Sequence, residues 1–110
     1  MAGDFFISAL CRVRGPATAA DYVVFKIWND TKVPITALYD KDFRQGNWGV
    51  NDLQGAVQPG HYFYPRLAQN SYGHCPGMLH DVKLVFGNGD VKVLSKVDVC
   101  QYDNADVNRT

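Results

Sequence analysis

Glutamate is absent from this chain, and all eleven acidic residues are aspartates. That removes the residue that most often serves glycoside hydrolysis and leaves only aspartate for such work. A surplus of either charge is missing too, because Lys plus Arg equals Asp plus Glu and the formal net charge is zero. The cations are scattered singly, whereas a dedicated nucleic-acid binder carries a basic stripe, so no nucleic-acid partner is expected. No apolar run approaches the roughly 20 residues of a membrane-spanning helix, so no membrane span is expected. Phosphate-binding and dinucleotide fingerprints and a nucleophile elbow are also lacking, and no cofactor is expected. Cysteine is scarce, and the odd count of Cys11, Cys75 and Cys100 leaves at least one thiol unpaired within a chain.

What is present reads as one β-domain. The 110 residues suffice for a single domain with a real core. Residues 1–20 stand apart: an apolar run from Phe5 to Cys11 is followed by Arg12, Arg14, Gly15-Pro16 and a small-residue tail. This segment reads as a leader or a flexible arm, although no positive charge precedes its apolar run. From Asp21 the apolar period is two. Val23, Phe25 and Ile27 alternate with Val24, Lys26 and Trp28, and Ile35, Ala37 and Tyr39 resume the pattern after the turn residues Asn29 to Lys32. Val82, Leu84 and Phe86 lead into Gly87-Asn88-Gly89-Asp90, a strong hairpin signal. Val91, Val93, Val97 and Val99 then alternate with Lys92, Leu94, Lys96 and Asp98, which predicts one valine face and one charged face. The expected fold is all-β, a small antiparallel β-sandwich over residues 21–102 with a C-terminal β-hairpin, followed by a frayed polar tail over residues 103–110.

With the hairpin turn centred between Asn88 and Gly89, Cys75 and Cys100 fall near each other at its open end. A Cys75–Cys100 disulfide is reasonable there, contributing about 3 to 3.5 kcal/mol by loop-closure entropy, and it implies an oxidising compartment. The alternative is two buried free cysteines in a cytosolic protein.

The run DYVVFKIWNDTKVPITALY, the loop NWGVNDLQGAVQPG, a cysteine ahead of a strand carrying Asp81-Val82, and the closing VDVC together resemble a family of small, mostly uncharacterised bacterial secreted β-domain proteins. That family has a Trp-Gly-x-Asp-Leu loop and a C-terminal cysteine pair. The resemblance covers residues 21 to about 102 and implies fold and a secreted or periplasmic location, but no mechanism. An extra residue, Val50 or Asn51, enlarges the Trp-Gly loop here, and Pro76-Gly77-Met78 lengthens the spacing from Cys75 to Asp81.

Four chemistries are available to weigh. His61, His74, Cys75 and His80 lack the paired short spacings of a zinc site. Asp40, Asp42 and Asp52 place oxygens around Trp48 as a calcium candidate, but without an EF-hand pattern. His74, Cys75 and His80 are the candidate set for a metal-dependent or thiol enzyme, although adjacent residues seldom orient toward each other. Tyr39, Trp48, Tyr62, Tyr64 and Tyr72 are the candidate binding residues, since exposed aromatics stack on sugars or anchor a protein partner. For Trp48 itself the expectation is a core role, with residues 47–60 folded as a plug over the end of the sandwich, anchored by Leu53 and Val57. The sequence therefore points to a non-catalytic binding or structural module for an unknown protein or carbohydrate ligand, with the metal-dependent or thiol enzyme as the alternative.

Overall fold

A computed structural model of the chain describes residues 7–13, 25–65 and 79–109. The described residues form seven strands and no helix: β1 (Ile7–Val13), β2 (Lys26–Asp30), β3 (Ile35–Asp42), β4 (Tyr62–Phe63), β5 (Leu79–Phe86), β6 (Val91–Asp98) and β7 (Tyr102–Arg109). They build a β-sandwich from a four-stranded sheet ordered β1-β7-β2-β4 and a three-stranded sheet ordered β3-β5-β6. The period of two decides what each strand buries. Phe25, Ile27, Ala105 and Val107 face inward from the first sheet, and Ile35, Leu38, Val82, Leu84, Phe86, Leu94 and Val97 from the second. All pairings are antiparallel except β2 with β7, which run parallel, so the purely antiparallel expectation is corrected at that one seam.

Both ends of the chain depart from the sequence expectation. Residues 103–110, expected to fray, lie mostly in β7, which sits between β1 and β2 and carries Ala105 and Val107 fully buried. Ile7–Val13, within the segment expected to be a leader or flexible arm, pairs along β7 from Ile7 opposite Arg109 to Val13 opposite Tyr102.

The hairpin also differs in detail. Gly87, Asn88 and Gly89 form a three-residue loop, with Gly89 at φ 92°, a value that favours glycine. Val85 therefore pairs with Val91 rather than with Lys92. Farther along, a bulge with Lys96 at φ 53° shifts the register, so that His80 pairs with Val97. The bulge breaks the expected valine face: Val91 and Val93 point outward, 55% and 42% exposed, while Leu94, Val97 and Val99 are buried.

Residues 47–60 close the free edge of β3. Val57 exchanges two backbone hydrogen bonds with Ile35, at 2.8 and 3.0 Å, while Asp52 N–H donates to Leu38 O and Gly49 N–H to Asp40 O. Asn51 Oδ1 accepts from the backbone N–H groups of both Leu38 and Leu53 at 3.0 Å, standing in for a strand carbonyl. Leu53 and Val57 are buried anchors, as expected.

This loop is tied to the other sheet through Asn29, which is fully buried. Its Nδ2 donates to Val33 O and Val57 O, both at 2.9 Å, and its Oδ1 accepts from Thr31 N–H at 3.0 Å and lies 2.6 Å from Thr31 Oγ1. Its backbone N–H donates to His61 O and its C=O accepts from Gly60 N–H. Asn29→Ala leaves several of these buried groups without partners and is expected to destabilise the fold by about 3 kcal/mol. Asn51→Ala, at a part-exposed site, is expected to cost about 1 kcal/mol. Urea midpoints of the two variants at constant m-value check both the magnitude and the order.

Candidate functional site

Alternation along β2 puts Lys26 and Trp28 on the outer face while Ile27 and Asn29 point in. The short β4 pairs with β2 so that Tyr62 lies opposite Trp28. Their rings meet edge-on at 4.9 Å between centroids, and Tyr62 meets Tyr64 likewise at 5.5 Å. Lys26 Nζ lies 5.0 Å from the Trp28 ring, 4.8 Å from Tyr62 and 5.8 Å from Tyr64. Each contact is within cation–π range. Beside this cluster an open groove of about 540 Å³ runs between β4 and residues 52–58. Tyr62, Phe63 and Tyr64 form one wall, and Asp52, Gln54 and Gln58 supply polar groups on the other, with His61 at the end. Tyr62 and Tyr64 remain 49% and 47% exposed, so part of each ring is open to a ligand. The size falls in the range of ligand clefts, and amides beside rings suit a ligand with both hydroxyl and C–H surface.

The other candidate aromatics divide between two places. Tyr39 and Trp48 lie on the outer face of the three-stranded sheet, not beside Tyr62. Trp48 is half-buried and does not join the core, which corrects its expected role as filler. Its ring sits 5.3 Å from Lys41 Nζ and 5.0 Å from Lys83 Nζ, and Lys83 Nζ also lies 5.0 Å from the Tyr39 ring. Tyr72 lies outside the described residues.

The three aspartates of the calcium candidate do not converge. Asp42 is fully buried and its carboxylate accepts from Arg44 Nε at 2.9 Å and Nη2 at 3.0 Å. Asp40 is buried near His80, with 3.6 Å between Oδ2 and Nδ1, while Asp52 lines the groove. Among the described residues no group of three His, Cys or Asp could hold a metal ion. His80 is sealed in the interior, and neither ring nitrogen has a hydrogen-bond partner. His74 and Cys75 lie outside the described residues. Cys11 carries a free thiol, and burial pushes its pKa up.

Lys26 and Trp28 were missed as site residues by the sequence reading. The signal was the i, i+2 spacing of Lys26 and Trp28, matched by that of Tyr62 and Tyr64. What the sequence could not supply was the pairing of β2 with β4 across more than thirty residues. No family model, curated protein or solved structure matches this chain.

Asp81, on the outer face beside Lys41, gives a pH handle. Burial pushes its carboxyl up, but the Lys96 backbone N–H at 2.8 Å and the Lys41 ammonium at 3.0 Å outweigh this and hold it below the usual range. A lowered folded-state pKa contributes stability that is full above the unfolded value near 3.9 and is lost as pH falls through the folded value. Asp81→Asn is expected to flatten the acid limb of a stability-against-pH curve below about pH 4. A limb identical to the wild type's removes Asp81 as its cause.

Proposed function

We propose that the protein is a non-catalytic binding module of a secreted or periplasmic setting, and that its ligand site is the groove between β4 and residues 52–58. The observation that carries this reading is the pair of half-exposed rings, Tyr62 and Tyr64, that wall the groove beside Trp28. A single exposed tyrosine is ordinary on any surface, but two such rings in edge contact lining a concave, amide-lined cleft, one of them packed on Trp28, are a different arrangement. Tyrosine and tryptophan offer large contact area at low conformational cost, and glutamine and aspartate satisfy hydroxyl groups. A carbohydrate is the ligand class that uses both, with C–H faces for the rings and hydroxyls for Gln54, Gln58 and Asp52.

The compartment is inferred from the thiols and from the resemblance to secreted bacterial proteins. Among the described cysteines Cys11 is free and Cys100 is not, which supports a Cys75–Cys100 disulfide and an oxidising environment.

Two measurements test the reading. Titration of the labelled protein with a panel of soluble oligosaccharides is expected to move amide resonances of residues 54–64, and Tyr64→Ala is expected to weaken binding about tenfold or more. Shifts elsewhere, or an unaffected Tyr64→Ala, would sink the groove as the site. Intact mass after alkylation is expected to show one thiol labelled before reduction and three after it; three labelled without reductant would remove the export argument.

A further inference from the structure

The outer face of the three-stranded sheet carries a second surface of different chemistry. Register places Tyr39 opposite Lys83 and Lys83 opposite Val93, so these three form one row across the sheet. The next row toward the hairpin turn is Ala37, Val85 and Val91. On the other side lies Lys41, opposite Asp81. The Lys96 bulge re-aims one more cation here, with its Nζ 5.5 Å from the Phe43 ring.

We propose that this face is a docking surface for an anionic lipid bilayer. Three features on it agree. First, the cations outnumber the acids: Lys41, Lys83 and Lys96 stand with two outward carboxylates, Asp81, which Lys41 already engages, and Asp98, which lies opposite Leu79 and accepts from the backbone N–H groups of Cys100 and Gln101. Lys83 has no carboxylate partner among the described residues, and its ammonium lies only over rings. Second, Val91 and Val93 are exposed on the same face, and Val50, 82% exposed, follows Trp48 by two residues. Exposed aliphatic side chains beside lysines fit an acyl–headgroup boundary and add nothing to binding a soluble polyanion. Third, the aromatics among the lysines are tryptophan, tyrosine and phenylalanine, types that sit well at a bilayer interface. The ring faces meet ammonium groups, which argues against nucleobases stacking on them.

The opposite outer face has no such excess of cations, because Lys26 stands there with two aspartates. Asp30 and Asp106 flank Trp28 there by alternation and by register. An anionic membrane is therefore attracted to the three-stranded sheet's outer face in preference to this one. The proposal does not depend on what the groove binds.

The test is co-sedimentation of the full chain with vesicles of phosphatidylcholine alone and of phosphatidylcholine mixed with phosphatidylglycerol. Binding to the anionic vesicles only, weakening as salt rises, is expected. Lys83→Gln and Lys96→Asn are each expected to weaken it about fivefold, as for one lysine near an anionic surface. Val91→Ser with Val93→Ser is expected to weaken it further while leaving its salt dependence unchanged. Both valines are exposed, so unchanged circular dichroism establishes that those variants fold. No sedimentation, equal sedimentation with neutral vesicles, or lysine variants that bind like the wild type would overturn the proposal. So would displacement by a soluble sulfated polysaccharide combined with indifference to the valine replacements.

Discussion

The fold and its groove both depend on Asn29. An asparagine side chain has two donors and an acceptor, and here every one is engaged in a site without solvent. Through Nδ2 it holds Val57, hence the loop that edges β3. Through its backbone it holds Gly60 and His61, hence the start of β4. The two walls of the groove are therefore positioned by one residue. Buried polar groups are costly unless fully satisfied, and a fully satisfied one admits few alternative arrangements. That is the property a ligand cleft needs from the scaffold beneath it.

The second constraint is the management of sheet edges. β3 has only β5 as a strand neighbour, and residues 47–60 cover its other side without forming a strand. Asn51 makes this feasible, because its side chain accepts from two backbone N–H groups where the loop leaves the ladder. On the far edge, β6 is protected differently: a bulge with Lys96 in the left-handed region bends the strand and puts a charge at the edge. The sandwich thus covers one edge and disrupts another, and each device leaves a surface. The covering loop makes the groove, and the bulge adds a lysine to the basic face.

Much of the architecture was legible from period two alone. The alternation in residues 25–30 and 79–86 matches what is buried, and Gly87-Asn88-Gly89 marks its hairpin. The failures have distinct physical causes. Asn29 looked like turn chemistry because its composition is that of a turn; nothing local says that its side chain will be buried against Val57, twenty-eight residues away. The tail looked frayed because Asn and Asp dominate it, yet Ala105 and Val107 keep the two-residue spacing of a strand, with small side chains that weigh little in a hydrophobicity count. Trp48 was expected in the core, but two lysine ammoniums on the outer face compete for its ring.

The error at β6 is the most instructive, since it links sequence to surface chemistry. With strict alternation, Val91, Val93, Val97 and Val99 share one side, and that side must be buried because valine is apolar. One residue in the left-handed conformation resets the parity, and Lys96 is the single non-glycine residue with positive φ among those described. The reset frees Val91 and Val93 to point outward, buries Leu94 in their place, and turns Lys96 toward Phe43. Non-glycine residues enter this region at a cost of about 1 kcal/mol or more, which the surrounding ladder and the hydrogen bond from Lys96 N–H to Asp81 offset. A strand that needed only to fill the core would keep its valines inside and its backbone regular. The bulge instead moves two aliphatic side chains and a cation to the same outer face, and that combination has a use at a charged lipid boundary.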